Sequence, residues 1–252
     1  MLDNEKHRQH RLDILQRMFM VLLLVNCIIT DYFLSHHEKL EKYKLVRHLL
    51  DSLSHCCVGF CSWAVFLFQI EKMFEARSAP FSNLSMIKKC LLNGITASLL
   101  DIDHFIAAGS FSLTGAVHLD NRPFGHAVTF IIVVAILVNW CSRKYQARRR
   151  RYCVCFIVIA WFSHQIRDGI RRGLWFWPFQ STRRVNYLLY LLMEEGLPFL
   201  MAKWWIKAPT LTEIEKMELA IQKVDEKKEV DKEDERQISA DVLGLMSPTV
   251  TR

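Results

Sequence analysis

The side chains with the greatest capacity for chemistry are aspartates and histidines set inside long apolar blocks. Asp51 and His55 are four residues apart, and so are His164 and Asp168. On a helix this spacing puts both members of a pair on one face, about one turn apart. Each helix can therefore present two groups to one centre. Imidazole and carboxylate together suit zinc, manganese or iron, and an unsaturated set leaves a position for water.

Further ionisable residues lie in or beside the same kind of block: Asp31, Asp101, Asp103, His104 and His126. An ionisable side chain within a membrane span costs roughly 2.5 to 3.5 kcal/mol even on insertion scales. Each one therefore needs a partner, a cavity or a function.

The elements that must position these residues are six apolar blocks, each close to the ~17 to 25 residues that cross a bilayer as a helix. They cover residues 18–34, 49–70, 90–108, 126–142, 152–170 and 186–206. The sequence predicts an all-α, polytopic transmembrane bundle of about six spans. We expect a cytoplasmic N-terminal segment at 1–17, a transmembrane domain at 18–206, and a charged, largely disordered cytoplasmic tail at 207–252.

The chemical residues fall late in odd-numbered spans and early in even-numbered spans. Both positions lie at the same membrane face, so we expect one shared polar cluster. Helix pairs that simply hydrogen-bond to hold a bundle together are the alternative. His118, in the loop after the third span, is predicted to be solvated.

The net charge of +7 comes with Lys and Arg in short loops between the spans. That placement is typical of topology signals, and a modest excess favours both termini on the cytoplasmic side. Membrane orientation explains these charges better than nucleic acid does, so no nucleic-acid partner is expected.

An ordered set of motifs carries a family resemblance. It comprises Ser54-His55 with Gly59, Leu100-Asp101-Ile102-Asp103-His104, Arg122 with His126, and Ser163-His164 with Asp168, Gly173, Pro178 and Phe179. Order and spacing resemble the LexA-regulated bacterial inner-membrane metal-dependent hydrolases. The segments SWAV, DIDHF-x-x-AGS-x-SL, RPF-x-H and SH-x-IRDGIR-x-GLW are more closely similar to the transmembrane protein 267 family. The resemblance runs from about Asp31 to Phe179.

The resemblance implies a multi-pass membrane protein with a metal-dependent hydrolase fold. The family's metal or catalytic positions correspond here to His55, Asp101, Asp103, His104, His126, His164 and Asp168. One position departs from the bacterial pattern, which begins its central motif with His-Arg-Gly where this chain has Asn121-Arg122-Pro123. Asn can orient a water molecule but cannot shuttle a proton near neutral pH.

We therefore predict a divalent metal ion, zinc or manganese, held by His55, Asp103, His126, His164 and Asp168. Asp101, His104 and Arg122 are predicted to serve catalysis, and Asp31 and Asp51 to support the ligands from outside. Arg122, Arg167, Arg171 and Arg172 could hold a phosphate or an anionic headgroup, although ordinary interfacial anchoring is favoured for them. With the bilayer as the expected partner, the substrate hypothesis is a lipid or another amphiphilic ester or phosphoester. The sequence does not identify any protein partner.

Two other functions remain open. An ion or proton transporter could use the same residues as a relay, but spans two, four and five are apolar towards the opposite face. A structural or scaffolding membrane protein could retain the polar cluster for folding alone, and the departure at Asn121 supports that alternative best.

Overall fold

The computed structural model describes residues 2–36, 44–73, 83–117, 119, 121–143, 145 and 147–207. The predictions for His118 and for the tail after Lys207 lie outside the described residues. The helices are α1 Leu2–His36, α2 Lys44–Met73, α3 Asn83–Ser98, α4 Ile102–Ala108, α5 Leu113–Val117, α6 Val128–Cys141, α7 Ala147–Arg172 and α8 Tyr187–Ile206. Short 3-10 turns lie at Leu99–Asp101 and Phe124–His126. The predicted all-α fold is confirmed.

Each of the six predicted apolar blocks is helical over most of its length. Four helical stretches are long and apolar enough to cross a membrane: Glu5–Ser35, Leu45–Met73, Ser85–Ala108 and Ala147–Arg172. Helix α6 is equally apolar but shorter. Helix α8 has 20 residues and includes Glu194, Glu195 and Lys203. The protein is therefore a polytopic membrane protein. Four of its helical stretches are long and apolar enough to cross a membrane, and α6 and α8 complete the bundle.

Helix α2 is the centre of the bundle, because it packs against α1, α3, α7 and α8. Its Trp63 is fully buried and stacks on Phe66 at 4.6 Å between ring centroids. The same indole meets Tyr152 and Phe156 of α7 edge-on, at 5.1 and 5.2 Å. Close van der Waals packing of this kind holds membrane helices together, since lipid supplies no hydrophobic drive between them.

Small residues let α2 and α3 approach closely at the end of the bundle that carries the polar cluster. A Cβ atom on Gly59 would lie 2.8 Å from the Cβ of Ala97, a separation that real side chains do not tolerate. Nearby, the hydroxyl of Ser98 donates to the carbonyl of Ser52 at 3.0 Å. This contact brings the end of α3 against the part of α2 that carries His55.

The outward faces of the bundle are apolar. On α6 the exposed residues include Ile132, Val133 and Ile136, and on α8 Leu188 and Leu192 are more than 60% exposed. Faces of this composition are unfavourable in water and suit contact with lipid chains.

Candidate metal centre

Breaks in helical geometry bring the acidic residues to the site. After Ser98 the α3 helix tightens into the 3-10 turn Leu99–Asp101, and α4 then continues through Asp103. A 3-10 turn has about 3.0 residues per turn instead of 3.6, so it rotates the following side chains relative to α3. As a result, Asp101 and Asp103 approach one imidazole from different sides.

His126 is held by a short turn that precedes α6. Pro123 has an extended backbone (φ −61°, ψ 144°) and starts the Phe124–His126 turn. One residue beyond Ala127, the N–H of Val128 donates to the carbonyl of Trp175 at 2.8 Å, which ties this turn to the segment after α7. His126 itself is 1% exposed. The backbone is therefore constrained both before and after His126.

Four donor atoms lie close together around the two Nε2 atoms of His126 and His164. His126 Nε2 lies 3.2 Å from His164 Nε2. Oδ1 of Asp101 is 3.7 Å from the first of these nitrogens and 3.5 Å from the second. Oδ2 of Asp168 is 3.7 and 3.9 Å from the same two atoms. Two imidazoles and two carboxylates thus converge on one small space.

The outer ring nitrogens show which tautomers are present. His164 Nδ1 lies 3.0 Å from the carbonyl oxygen of Ala97, and a carbonyl can only accept, so Nδ1 carries the hydrogen. His126 Nδ1 lies 2.9 Å from Oδ2 of Asp103, which likewise accepts. In the neutral rings both Nε2 atoms are then bare lone pairs that face each other. Such a contact is repulsive unless a proton or a cation lies between them.

Two more histidines adjoin this group. His104 donates from Nδ1 to the carbonyl of Ala116 at 3.1 Å, so in the neutral ring Nε2 carries the lone pair. It forms with Asp101 and His126 one set of donors that could hold a metal ion. A second set consists of His55, His164 and Asp168. The ring of His55 stacks on that of His164 at 3.7 Å, and its Nε2 accepts from Arg167 at 3.3 Å.

An arginine network supports the carboxylates from the side of α2. Arg167 is 1% exposed; it donates to Asp51 at 2.5 Å and to Asp31 at 3.2 Å. Arg171 donates to Asp51 at 2.7 Å and to Asp168 at 2.5 Å. The network fixes one oxygen of Asp168 and leaves the other directed at the two histidines.

Arg122 stands at the edge of the cluster with free donors. One of its terminal nitrogens donates to the carbonyl of Gly173 at 3.0 Å. Among the described residues, its Nε and its other terminal nitrogen have no hydrogen-bond partner although both atoms are buried. Burial lowers the pKa of this guanidinium, and the Asp168 carboxylate partly offsets that, so it stays cationic at neutral pH. The two free donors suit an anionic oxygen.

The structure brings together all the residues predicted for the site. They are Asp31, Asp51, His55, Asp101, Asp103, His104, Arg122, His126, His164 and Asp168. Their individual roles stay predictions. Asp103, predicted as a ligand, contacts the outer nitrogen of His126, whereas Asp101 faces the inner one. Asn121 is exposed in the loop.

Two features differ from the sequence-based interpretation. Interfacial anchoring is wrong for Arg167, because its side chain is buried and ion-paired. Glu194, fully buried on α8, was not singled out. The available signal was two adjacent glutamates, Glu194 and Glu195, inside the apolar block 186–206.

Comparison with known proteins agrees with the motifs. The model of the YdjM inner membrane protein family matches residues 50–222, a stretch that contains every donor from Asp51 to Asp168. Transmembrane protein 267 of Xenopus laevis is 36% identical over 163 residues, which cover 63% of this chain and 69% of that protein. The Bos taurus protein of the same name is 33% identical over 174 residues (68% and 74%), and the Danio rerio protein is 33% identical over 177 residues (69% and 73%).

No solved structure matches the chain. The resemblance to the transmembrane protein 267 family is confirmed by the length of these matches and by their identity. On the evidence of the family model and of these relatives, the chain belongs to the YdjM inner membrane protein family and is a homologue of the transmembrane protein 267 proteins.

Proposed function

We propose that this membrane protein is a metal-dependent hydrolase of a lipid or another amphiphilic ester or phosphoester. Asp101, His126, His164 and Asp168 would hold the metal ion. The observation that carries the proposal is the pair of Nε2 atoms of His126 and His164, which face each other 3.2 Å apart with two carboxylate oxygens 3.5 to 3.9 Å away.

The donor separations fit a first-row metal ion. Zinc bonds of about 2.0 to 2.1 Å in a tetrahedron place neighbouring donors ~3.3 Å apart. The separations between the two histidine nitrogens, and between each nitrogen and the carboxylate oxygens, are 3.2 to 3.9 Å and need only small side-chain adjustments to reach that value. Two carboxylates also balance the charge of a divalent cation, and a mixed set of imidazole and carboxylate suits zinc or manganese.

The outer contacts of the two histidines resemble those of known metal ligands. A ligating histidine nearly always donates its other N–H to a carbonyl or carboxylate, which fixes the ring and raises its basicity. His164 does so to Ala97, and His126 does so to Asp103. This arrangement supports a role for Asp103 in orienting His126, with Asp101 as the ligand. For His55, the N–H that Arg167 directs at Nε2 favours a supporting role over ligation.

A divalent ion bound there would supply Lewis-acid polarisation of a phosphoryl or acyl oxygen and would acidify a water molecule. The chain's own groups divide the remaining work. The Nε2 lone pair of His104 can take a proton from attacking water. The unpartnered nitrogens of Arg122 can hold an anionic substrate oxygen, and Arg171 keeps Asp168 oriented.

Exposed aromatic residues beside the site support an amphiphilic substrate. Phe124, the first residue of the turn that carries His126, is 48% exposed and contacts Trp177 edge-on at 5.3 Å. Phe179, two residues further on, is 73% exposed. An apolar rim next to a cationic guanidinium suits a molecule with a lipid-like body and an anionic head. Among such molecules, Arg122 favours a phosphoester.

Metal content tests the proposal directly. Wild-type protein purified in detergent is compared by inductively coupled plasma mass spectrometry with the double variant His126→Ala/His164→Ala. The matched control is His7→Ala/His10→Ala, which removes two exposed histidines of α1. We expect near-stoichiometric zinc or manganese in wild type and control, and its loss in the site variant. Stable, metal-free wild type would leave the structural or scaffolding function instead.

Substrate turnover is the second step of the same test. Once metal is found, a panel of short-chain lipid phosphoesters and carboxylic esters is screened with the wild type and with Arg122→Gln. Hydrolysis that requires both the metal and Arg122 supports the phosphoester assignment. A metal that is bound without any turnover in the panel would favour a purely structural site.

A further inference from the structure

An apolar groove lies between α1, α2 and α3. Its volume is about 520 Å³, which falls within the ~300 to 1,000 Å³ that is usual for small-molecule sites in proteins. Apart from Arg11 and the thiol of Cys90, its lining consists of aliphatic, aromatic and methionine side chains. None of the residues of the metal cluster contributes to this lining.

The spacing of the lining residues gives the direction of the groove. Arg11, Leu15 and Phe19 follow one another at four-residue intervals on α1, and Leu15 and Phe19 face a groove wall formed by Ala64 and Phe68 of α2. This spacing keeps each set on one helix face, and eight residues rise about 12 Å along the axis. Membrane helices tilt only about 20° from the bilayer normal on average. The groove is therefore aligned with the acyl chains of the surrounding lipid.

The floor of the groove is buried, and its sides open outwards. Ala64 is 1% exposed, and the ring of Phe19 lies 6.0 Å from that of Phe60 and 5.7 Å from that of Phe68. Ile14 and Ile87 also line the groove, yet about half of each side chain is exposed. An acyl chain can therefore enter sideways from the bilayer without passing a polar surface.

Arg11 gives one end of the groove a positive charge. Two other cations of this region are already paired, Arg8 with Glu71 at 3.8 Å and Lys72 with Asp13. The Arg11 guanidinium makes no ion pair within the described part of the chain. A guanidinium can bind a phosphate group through two parallel N–H donors. An apolar groove that ends at such a group matches the shape and charge of an anionic phospholipid.

The groove is distant from the metal cluster. Helix α1 is continuous from Leu2 to His36, and Asp31, which contacts Arg167, follows Arg11 by 20 residues. The helix rise over that stretch is about 30 Å, close to the thickness of the hydrocarbon core of a bilayer. Arg11 and the metal cluster therefore lie towards opposite faces of the membrane. A lipid with its head group on Arg11 is not positioned as a substrate of the metal centre.

We propose that this groove binds an anionic phospholipid of the surrounding bilayer, with one acyl chain along the groove and the phosphate on Arg11. Binding needs no metal ion and involves no covalent step. The site is therefore independent of the proposed hydrolase.

Photocrosslinking in lipid nanodiscs tests the position of the acyl chain. The probe is phosphatidylglycerol with a diazirine in the acyl chain, and the adducts are mapped by peptide mass spectrometry. We expect adducts to concentrate on the groove, relative to the exposed faces of α6 and α8 around Ile136 and Leu192, which any surrounding lipid reaches. Equal labelling of the three surfaces would overturn the proposal. So would a groove that the probe does not label because a second copy of the chain covers it.

Arg11→Gln tests the head-group contact. One arginine near an anionic membrane lipid should change labelling of the groove by about fivefold, while labelling of α6 stays the same. The matched control is Arg17→Gln, because Arg17 is an exposed arginine of the same helix that does not line the groove. Equal labelling of the groove in these two variants would overturn the proposal.

Ala64→Leu tests the seat of the acyl chain. The larger side chain fills part of the groove while Arg11 stays in place, so labelling of the groove should fall by a similar factor. Labelling of α6 in the same sample and the melting temperature show whether the variant is folded. A folded Ala64→Leu protein with wild-type labelling of the groove would overturn the proposal. The wild-type map and the Arg11→Gln comparison decide the matter if this variant does not fold.

Discussion

His126 and His164 face each other through their Nε2 atoms, 3.2 Å apart, while each outer nitrogen donates to an acceptor in the α3–α4 segment. Ala97 lies in α3 and Asp103 in α4, so one stretch of chain sets both tautomers. Two histidines that only hold helices together would place a hydrogen between the nitrogens, with one ring as donor. Here the N–H group of each neutral ring is already used elsewhere, so the short contact needs either a second proton on one ring or a cation between the two nitrogens.

Chelation should destabilise the wild-type protein. A ligand present at 100 times its dissociation constant stabilises the folded state by about 2.7 kcal/mol. Removing a bound ion with EDTA should therefore lower the free energy of unfolding by roughly that amount, measured by thermal melting in detergent. His126→Ala/His164→Ala, compared with itself with and without EDTA, should show no change. Identical wild-type melting curves in the two conditions would count against a bound ion.

Asp101 and Asp103 should differ in their effect on metal affinity. Asp101→Asn removes a donor that faces both inner nitrogens, so we expect stoichiometric binding to be lost. Asp103→Asn leaves the four donors in place but weakens the orientation of His126, and changes of this kind typically cost about 10- to 100-fold in affinity. Metal titration by isothermal calorimetry measures both. The reverse order of effects would make Asp103 the ligand, as the sequence-based prediction has it.

Gly125 should be sensitive to a single methyl group. A Cβ atom at this position would lie 2.5 Å from Oδ2 of Asp103, the oxygen that contacts His126. We expect Gly125→Ala to displace Asp103 and to reduce metal affinity by about 10-fold, within the range for lost outer contacts. Gly196→Ala is the control, because a Cβ there meets nothing within 4 Å. Equal affinities for the two variants would show that Asp103 has no part in orienting the site.

The sequence predicted which of these side chains lie close together, because helix periodicity and span order determine their proximity. The four-residue spacing in α2 and in α7 places each Asp–His pair on one face, and the alternation of spans puts both pairs at one end of the bundle. In the structure His55 and His164 do meet, with their rings stacked at 3.7 Å. These relationships follow from regular helices alone.

The spacing of the residues does not show which of them face the inner histidine nitrogens and which orient the histidines from outside. Asp101 and Asp103 are two residues apart, and which of them reaches the inner nitrogen of His126 depends on the 3-10 turn at Leu99–Asp101. That turn depends on tertiary packing rather than on an obvious sequence signal. The burial of Arg167 could not be predicted from its position for a related reason. It stands near the end of a span, where arginines usually reach the interface, but α7 extends one further turn to Arg172 and keeps Arg167 inside the bundle.

Arg167 should be the most important charged residue for stability. Removing one partner of a buried ion pair leaves the other charge uncompensated and typically costs about 3 to 5 kcal/mol. Arg167→Met should therefore lower the free energy of unfolding by about that much, whereas Arg172→Met, at an exposed position, should change it little. Denaturant titration of the purified protein in mixed micelles measures both variants.

A second substitution separates charge from packing in this prediction. Asp51 keeps Arg171 as a partner when Arg167 is removed, but the only ion pair of Asp31 within the described part of the chain is with Arg167. Adding Asp31→Asn to Arg167→Met should therefore recover part of the lost stability, because the stranded charge is gone. If the double variant is as unstable as the sum of the two single variants, Arg167 acts through its packing volume and the ion pair contributes little.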